Sequence, residues 1–187
     1  MSISAKSSER RQEGIKTVDL PQGVSASVKG RELTMKGPNG SATKNYQRIP
    51  VEVQVQGNKI QVIPFTGKKK DVISANTVSS IMRAMAHGVT KGYEYRMKVV
   101  FAHFPVTVKV KDDWVVVENF MGERSPRLAK ILAGCKVTTE GDDIIIKGSS
   151  LEQIGQTAAN VEQATKIKRK DQRIFLDGIY VYEKKKN

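Results

Sequence analysis

The sequence predicts an α+β protein made of two tandem similar domains, each a small antiparallel sheet covered by one helix. Three observations carry this expectation. Apolar residues alternate with polar ones around two-residue turns, the pattern of β-hairpins. The hairpin patterns recur at offsets of 82 and 84 residues. Each repeat then closes on a segment of helical period.

In order along the chain, residues 1–17 read as a polar, basic arm that includes Arg10 and Arg11, and residues 18–92 as the first domain. Val24, Ala26 and Val28 alternate into the turn Gly30-Arg31 and return through Leu33 and Met35. Ile49, Val51, Val53 and Val55 do the same into Gly57-Asn58, returning through Ile60 and Val62. A helix is expected from about Asp71 to His87, with Val78, Ile81, Met82, Met85 and Val89 at helical spacing and Gly88 as its stop. The lysines Lys68, Lys69 and Lys70 precede it, where their charge opposes the helix dipole, so helix stability does not explain them.

Residues 93–105, YEYRMKVVFAHFP, form an apolar, β-rich joint without linker character, which implies domains coupled rather than freely tethered. The second domain, 106–182, repeats the plan. Val106, Val108 and Val110 turn at Asp112-Asp113 into Val115 and Val117, and Val137–Glu140 turns at Gly141-Asp142 into Ile144 and Ile146. Residues 121–130 are expected as a loop joining these hairpins. Ser149-Ser150-Leu151-Glu152 has the form of a capping box, and Leu151, Ile154, Ala158 and Val161 share the face of the helix that follows. Asp177-Gly178 signals a further hairpin between 173–176 and 179–182, and 183–187 reads as a basic tail with Lys184, Lys185 and Lys186.

Charge narrows the function classes. The 187 residues carry 32 Lys/Arg against 19 Asp/Glu, a net +13, and the isoelectric point is near 9.8. Such an excess points to a polyanionic partner, nucleic acid first and an anionic membrane surface second. Its distribution is uneven. Residues 1–103 hold 17 basic against 7 acidic groups, residues 104–165 hold 7 against 9, and residues 166–187 hold 8 against 3. In the last segment Lys166, Lys168, Arg169, Lys170 and Arg173 fall within eight positions, interleaved downstream with Phe175, Tyr180 and Tyr182. Cations can meet phosphates, and flat rings can meet bases or sugars. Arg124, Arg127 and Lys130 project further cations from the 121–130 segment, shaped by Gly122 and Pro126. A guanidinium bonds a phosphate at two points, which suits a fixed position on folded RNA.

Catalysis finds no support in these residues. His87 and His103 are the only histidines, and the chain has no glycine-rich phosphate loop, metal-spaced cluster or nucleophile elbow. Asp112-Asp113 and Asp142-Asp143 are paired carboxylates in hairpin turns, where aspartate is a turn former. His103 reads as a packed histidine, and the single cysteine, Cys135, as a small buried thiol. No cofactor or metal is expected. No apolar run approaches the length of a membrane span, and the first eighteen residues lack the apolar core of a secretion signal. A soluble, intracellular protein is expected.

The segments KGPNG (36–40), HGVTKGYEYRMKVVFAHFP (87–105), ENFMGERSPR (118–127), GQTAANVEQAT (155–165) and RIFLDGIY (173–180) resemble the universal large-subunit ribosomal protein L-six family. The likeness is to its archaeal/eukaryotic branch, whose eukaryotic member is called L-nine. The resemblance implies two similar sheet-and-helix domains and a structural, non-enzymatic role in the cytoplasmic ribosome. It implies binding to large-subunit rRNA through the second domain and C-terminal segment, near the sarcin–ricin loop and stalk base, with ribosomal proteins as neighbours and translational GTPases docking nearby. Arg124, Arg127, Lys168, Lys170 and Arg173 are the RNA-facing candidates it carries over, and Gly178 permits close backbone approach or a tight turn. A free RNA-binding or ribosome-assembly protein is the alternative, and a membrane-surface module ranks last, since neither helix shows the basic-plus-aromatic face of an interfacial anchor.

Overall fold

The computed structural model describes residues 11–12, 14–168, 170–171 and 173–186. Residues 1–10 of the expected arm, and the candidate Arg169, lie outside the described residues. The chain forms two compact units, 1–91 and 92–187.

In the first unit, β1 (Lys16–Asp19), β2 (Ser25–Lys29), β3 (Glu32–Gly37), β4 (Gly40–Asn45), β5 (Val51–Gln56) and β6 (Lys59–Pro64) precede helix α1 (Lys69–Thr90). They form two antiparallel sheets, ordered β5-β6-β1 and β2-β3-β4. The expected hairpins close on the expected turns: Lys29 pairs with Glu32 across Gly30-Arg31, and Gln56 with Lys59 across Gly57-Asn58. Leu33, Met35, Val51, Ile60 and Val62 point inward to meet Ala75, Val78, Met82 and Val89 of α1 in one core.

The second unit contains β7 (Tyr93–Val100), β8 (Thr107–Lys111), β9 (Trp114–Glu118), a 3₁₀ turn (Phe120–Gly122), β10 (Arg127–Lys130), β11 (Cys135–Glu140), β12 (Asp143–Gly148), helix α2 (Leu151–Ala164) and β13 (Gly178–Lys186). Its sheets are β8-β9-β10 and β11-β12-β7-β13. β1 pairs antiparallel with β6 as β7 does with β12. The duplication therefore includes one more strand than the hairpin patterns indicate.

Several expectations change accordingly. The 93–105 segment is not a joint: Tyr93–Val100 is a central strand of the second unit, flanked by β12 and β13. Its residues do alternate, Tyr93, Tyr95, Met97 and Val99 against Glu94, Arg96 and Lys98, but both partner strands are remote in sequence, so no adjacent hairpin turn marks it as part of a sheet. Lys16 and Thr17, assigned to the arm, pair with Val62 and Gln61. Gly88 lies within α1, which continues to Thr90. β4 and β10 are short edge strands that send only Ala42 and Ala129 into the core, so they carry almost no period-two signal. The C-terminal hairpin is absent from the described residues. Residues 178–186 instead run as one strand along β7, with Lys184, Lys185 and Lys186 opposite Tyr95, Glu94 and Tyr93. The expected tail is thus an edge strand, and exposed lysines discourage a second strand from adding to it.

One buried charge is compensated inside this sheet. Glu94, on β7, has a side chain only 7% exposed and accepts from Arg96 Nε at 2.7 Å and Lys147 Nζ at 3.0 Å. The Arg96 hydrogen bond, then that of Lys147, holds its carboxyl below the ordinary glutamate range. A depressed folded-state pKa gives stability that is present above the unfolded pKa and disappears as pH falls through the folded one. Glu94→Gln is therefore expected to lower the urea midpoint at pH 7, with the gap from the parent closing below about pH 4.

Candidate nucleic-acid interface

Helix α2 organises the charged surface of the second unit. Its cap is Ser150, whose side chain accepts from Gln153 N, one position later than the box read from the sequence. Ile154, Ala158 and Val161 enter the core, while the polar residues tie down everything around the helix. Asn160 Nδ2 donates to Lys130 O at 2.9 Å, fixing the end of β10. Thr157 Oγ1 accepts from Leu132 N and donates to Cys135 Sγ at 3.6 Å. Burial pushes the Cys135 thiol above its ordinary pKa, which leaves it an unreactive packing group. At the far end Glu162 accepts from Val181 N and Thr165 Oγ1 from Ile179 N, locking β13 against the helix.

Arg127 joins the preceding turn to that same end. Its Nε and NH2 donate to the two carboxylate oxygens of Glu123 at 2.8 and 2.6 Å. Its NH1 donates to Ala164 O and Lys166 O at 3.0 and 3.2 Å, and the guanidinium lies 4.4 Å from the Phe120 ring centroid. The sequence places Arg127 among the loop cations. The structure puts it in strand β10 with its donors committed internally, so it shapes the surface from within. The Glu123 hydrogen bond raises the Arg127 pKa, and the reciprocal bond lowers that of Glu123.

The resulting groove is bordered by Met121, Arg127, Gln163, Lys166, Lys168 and Lys170. A second groove, on the other side of Lys166 and Ile167, is bordered by Phe175, Gly178 and Tyr180. Three candidate cations thus share one depression with the Arg127 clasp. Arg124 follows Glu123 in the chain and is exposed. Arg173 is 90% exposed and pairs with Asp171, whose side chain accepts from the Arg173 backbone and guanidinium. Lys130 sits at the opposite end of β10 from Arg127, across from Trp114, away from this cluster. Among the described residues Arg124, Lys130, Lys166 and Lys168 have no carboxylate at ion-pair distance.

Gly178 is not a turn residue. Its φ lies outside the left-handed region, and it opens β13 opposite Val100. The Tyr180 hydroxyl lies over it, 2.7 Å from where a Cβ would stand. The requirement is for close approach of a ring rather than for positive φ. Asp177 is buried and accepts from Ala102 N at 2.9 Å, which makes it an anchor rather than a turn former.

That anchor reveals an element the sequence reading left out of the site. Residues 101–105 bridge the two charged stretches: Ala102 is held by Asp177, Asn119 Nδ2 donates to Pro105 O at 3.0 Å, and the Phe104 ring packs on Gly122. Asn119, Met121 and Gly122 have φ of 58°, 52° and 77°, and for the first two this is a strained conformation that the neighbours hold in place. His103, expected to be packed, is exposed and meets Phe104 edge-to-face at 5.5 Å. The clue in the sequence is FAHFP itself, an apolar run ended by proline, but exposure is not legible from composition.

Two sheet-and-helix units, one presenting a cationic groove framed by an arginine clasp, define a duplicated α+β protein suited to a polyanion. A family model described as Ribosomal protein L6 matches residues 20–92 and 104–178. The chain is 44% identical to large ribosomal subunit protein uL6 of Methanobrevibacter smithii over 89% of its own length and 94% of that relative's. The uL6 proteins of Ignicoccus hospitalis (44% identity, 88% and 91% covered) and Methanothrix thermoacetophila (40%, 93% and 99%) are similar over comparable spans. The chain belongs to the ribosomal protein L6 family.

Removing the clasp tests its assignment. Arg127→Met should destabilise the chain by about 1–3 kcal/mol, because it deletes charge-assisted bonds to Glu123 and strands two carbonyls. Arg124→Met should leave the thermal midpoint unchanged; equal losses from both would contradict the division of roles.

Proposed function

We propose that the chain is a structural, non-catalytic constituent of the large ribosomal subunit and binds large-subunit rRNA in the cytoplasmic ribosome. Family membership and the name carried by its relatives support the assignment to that subunit. The observation that carries RNA binding is the juxtaposition of Lys166, Lys168 and Lys170 around one groove, beside a guanidinium already neutralised by Glu123.

In this reading Arg124, Lys166, Lys168, Lys170 and Arg173 meet phosphates. Arg169 falls within the same run of sequence. Arg127 positions the groove, and Gly178 lets Tyr180 fold over the strand start. Lys130 extends the contact along β10. Lysines supply mobile point charges, and arginines supply planar two-point contacts that fix register on folded RNA. The docking region proposed is that of the sarcin–ricin loop and stalk base, where a rigid protein–RNA surface would support the approach of translational GTPases, with other ribosomal proteins as neighbours.

Counterion release gives a direct test. Replacing Lys168, Lys170 and Arg173 together by glutamine should weaken binding to protein-free large-subunit rRNA. The slope of log affinity against log salt should fall by roughly 2 to 3, one phosphate contact per cation. An unchanged slope would remove those residues from the interface. Comigration of the parent chain with large subunits through a high-salt wash is also expected, and its loss would favour a transiently bound assembly protein.

A further inference from the structure

The bridging loop and its neighbour expose more apolar surface than a phosphate-binding face needs. Phe101 and Phe104 lie on one side of the Ala102–Asp177 hydrogen bond, and Ile174 and Leu176 on the other; all four are exposed, Ile174 by 73% and Leu176 by 60%. Side chains of this size left in water at one place mark a recognition surface. The position is not an accident of a mobile end. Asp177 is buried, Phe104 packs on Gly122, and Asn119 holds Pro105.

Charge decides what covers it. The nearby carboxylates are occupied within the unit: Glu123 by Arg127, Asp171 by Arg173, Asp177 by Ala102 N, and Glu162 by Val181 N. Arg124, two residues after the Gly122 on which Phe104 packs, and Lys168, which borders the same groove as Met121, have no such partner among the described residues. A hydrophobic platform between unpaired cations complements a chain that alternates flat apolar groups with anions. Duplex RNA hides its bases and offers phosphates and hydroxyls, whereas unpaired stretches present bases that stack on aromatic rings.

We propose that the 101–105 loop and the 174–177 segment receive unstacked nucleobases of an unpaired rRNA segment, with Phe101 and Phe104 as stacking platforms and Arg124 and Lys168 on the adjoining phosphates. This rests on the RNA-binding reading above and adds the class of RNA: single-stranded, bulged or looped rather than helical. Phe175, whose ring lies 4.7 Å from Lys170 Nζ, holds that lysine at the margin.

The test uses the full chain and protein-free large-subunit rRNA. Phe101→Leu and Phe104→Leu each keep an apolar group and remove a ring. Each is expected to weaken binding about tenfold while leaving the salt slope unchanged, in contrast to loss of a cation. Phe101→Leu keeps the question open to measurement if Phe104→Leu loosens the Gly122 turn. Poly(A) should compete for the parent chain better than a poly(A)·poly(U) duplex. Normal rRNA affinity in both variants, with the lysine variants still impaired, would overturn base stacking and leave the RNA reading standing. Normal rRNA affinity together with loss from assembled subunits would assign the patch to a neighbouring protein and also overturn it. Failure of the parent chain to bind rRNA would remove both.

Discussion

The surface of the second unit depends on what Arg127 does with its guanidinium. A turn, a helix end and the C-terminal segment meet there. The fork takes both oxygens of Glu123 and the carbonyls of Ala164 and Lys166, so one planar group fixes three pieces of chain. Ser150, Asn160, Glu162 and Thr165 extend the same logic along α2. Backbone groups that would otherwise need water are satisfied by side chains of one helix, and the exposed cations are left to act outward.

Net charge alone would point to the first half of the chain rather than to the half that holds the groove. Residues 1–91 carry 15 basic groups against 6 acidic ones, while 92–187 carry 17 against 13. The second unit is the more nearly neutral, yet it holds the organised groove. Several of its acids, Glu94, Glu118 and Glu123 among them, are held in ion pairs within the unit. Local pairing, rather than the sum of charges, determines which cations remain for a partner. The first unit repeats the sheets and helix but lacks a counterpart of β13 among its described residues. That strand and the segment leading to it are what the second copy adds.

Much of the fold was legible because hairpins announce themselves through alternation and turn chemistry. The four two-residue turns fall where Gly30, Gly57, Asp112 and Gly141 put them, each at positive φ. Other elements were missed for physical reasons: β7 alternates but pairs only with strands remote in sequence, β4 and β10 touch the core at one residue each, and β13 follows a segment that resembles a turn. In the site, the cations were legible as a cluster, and the division of labour among them was not. Whether Arg127 faces RNA or Glu123 depends on a partner four residues away and on two carbonyls about forty residues on. Asp177-Gly178 misled because the same dipeptide serves a hairpin turn and a buried anchor equally well.

Which part of this chain touches RNA, and which RNA it touches, are open to one measurement. Ultraviolet crosslinking in the cells that make the protein, with both peptide and RNA identified by mass spectrometry and sequencing, addresses both together. Crosslinked peptides from 101–105, 119–130 and 166–177, joined to one region of large-subunit rRNA beside the sarcin–ricin loop, are the predicted result. Crosslinks confined to residues 1–91, or spread across many messenger RNAs, would contradict it.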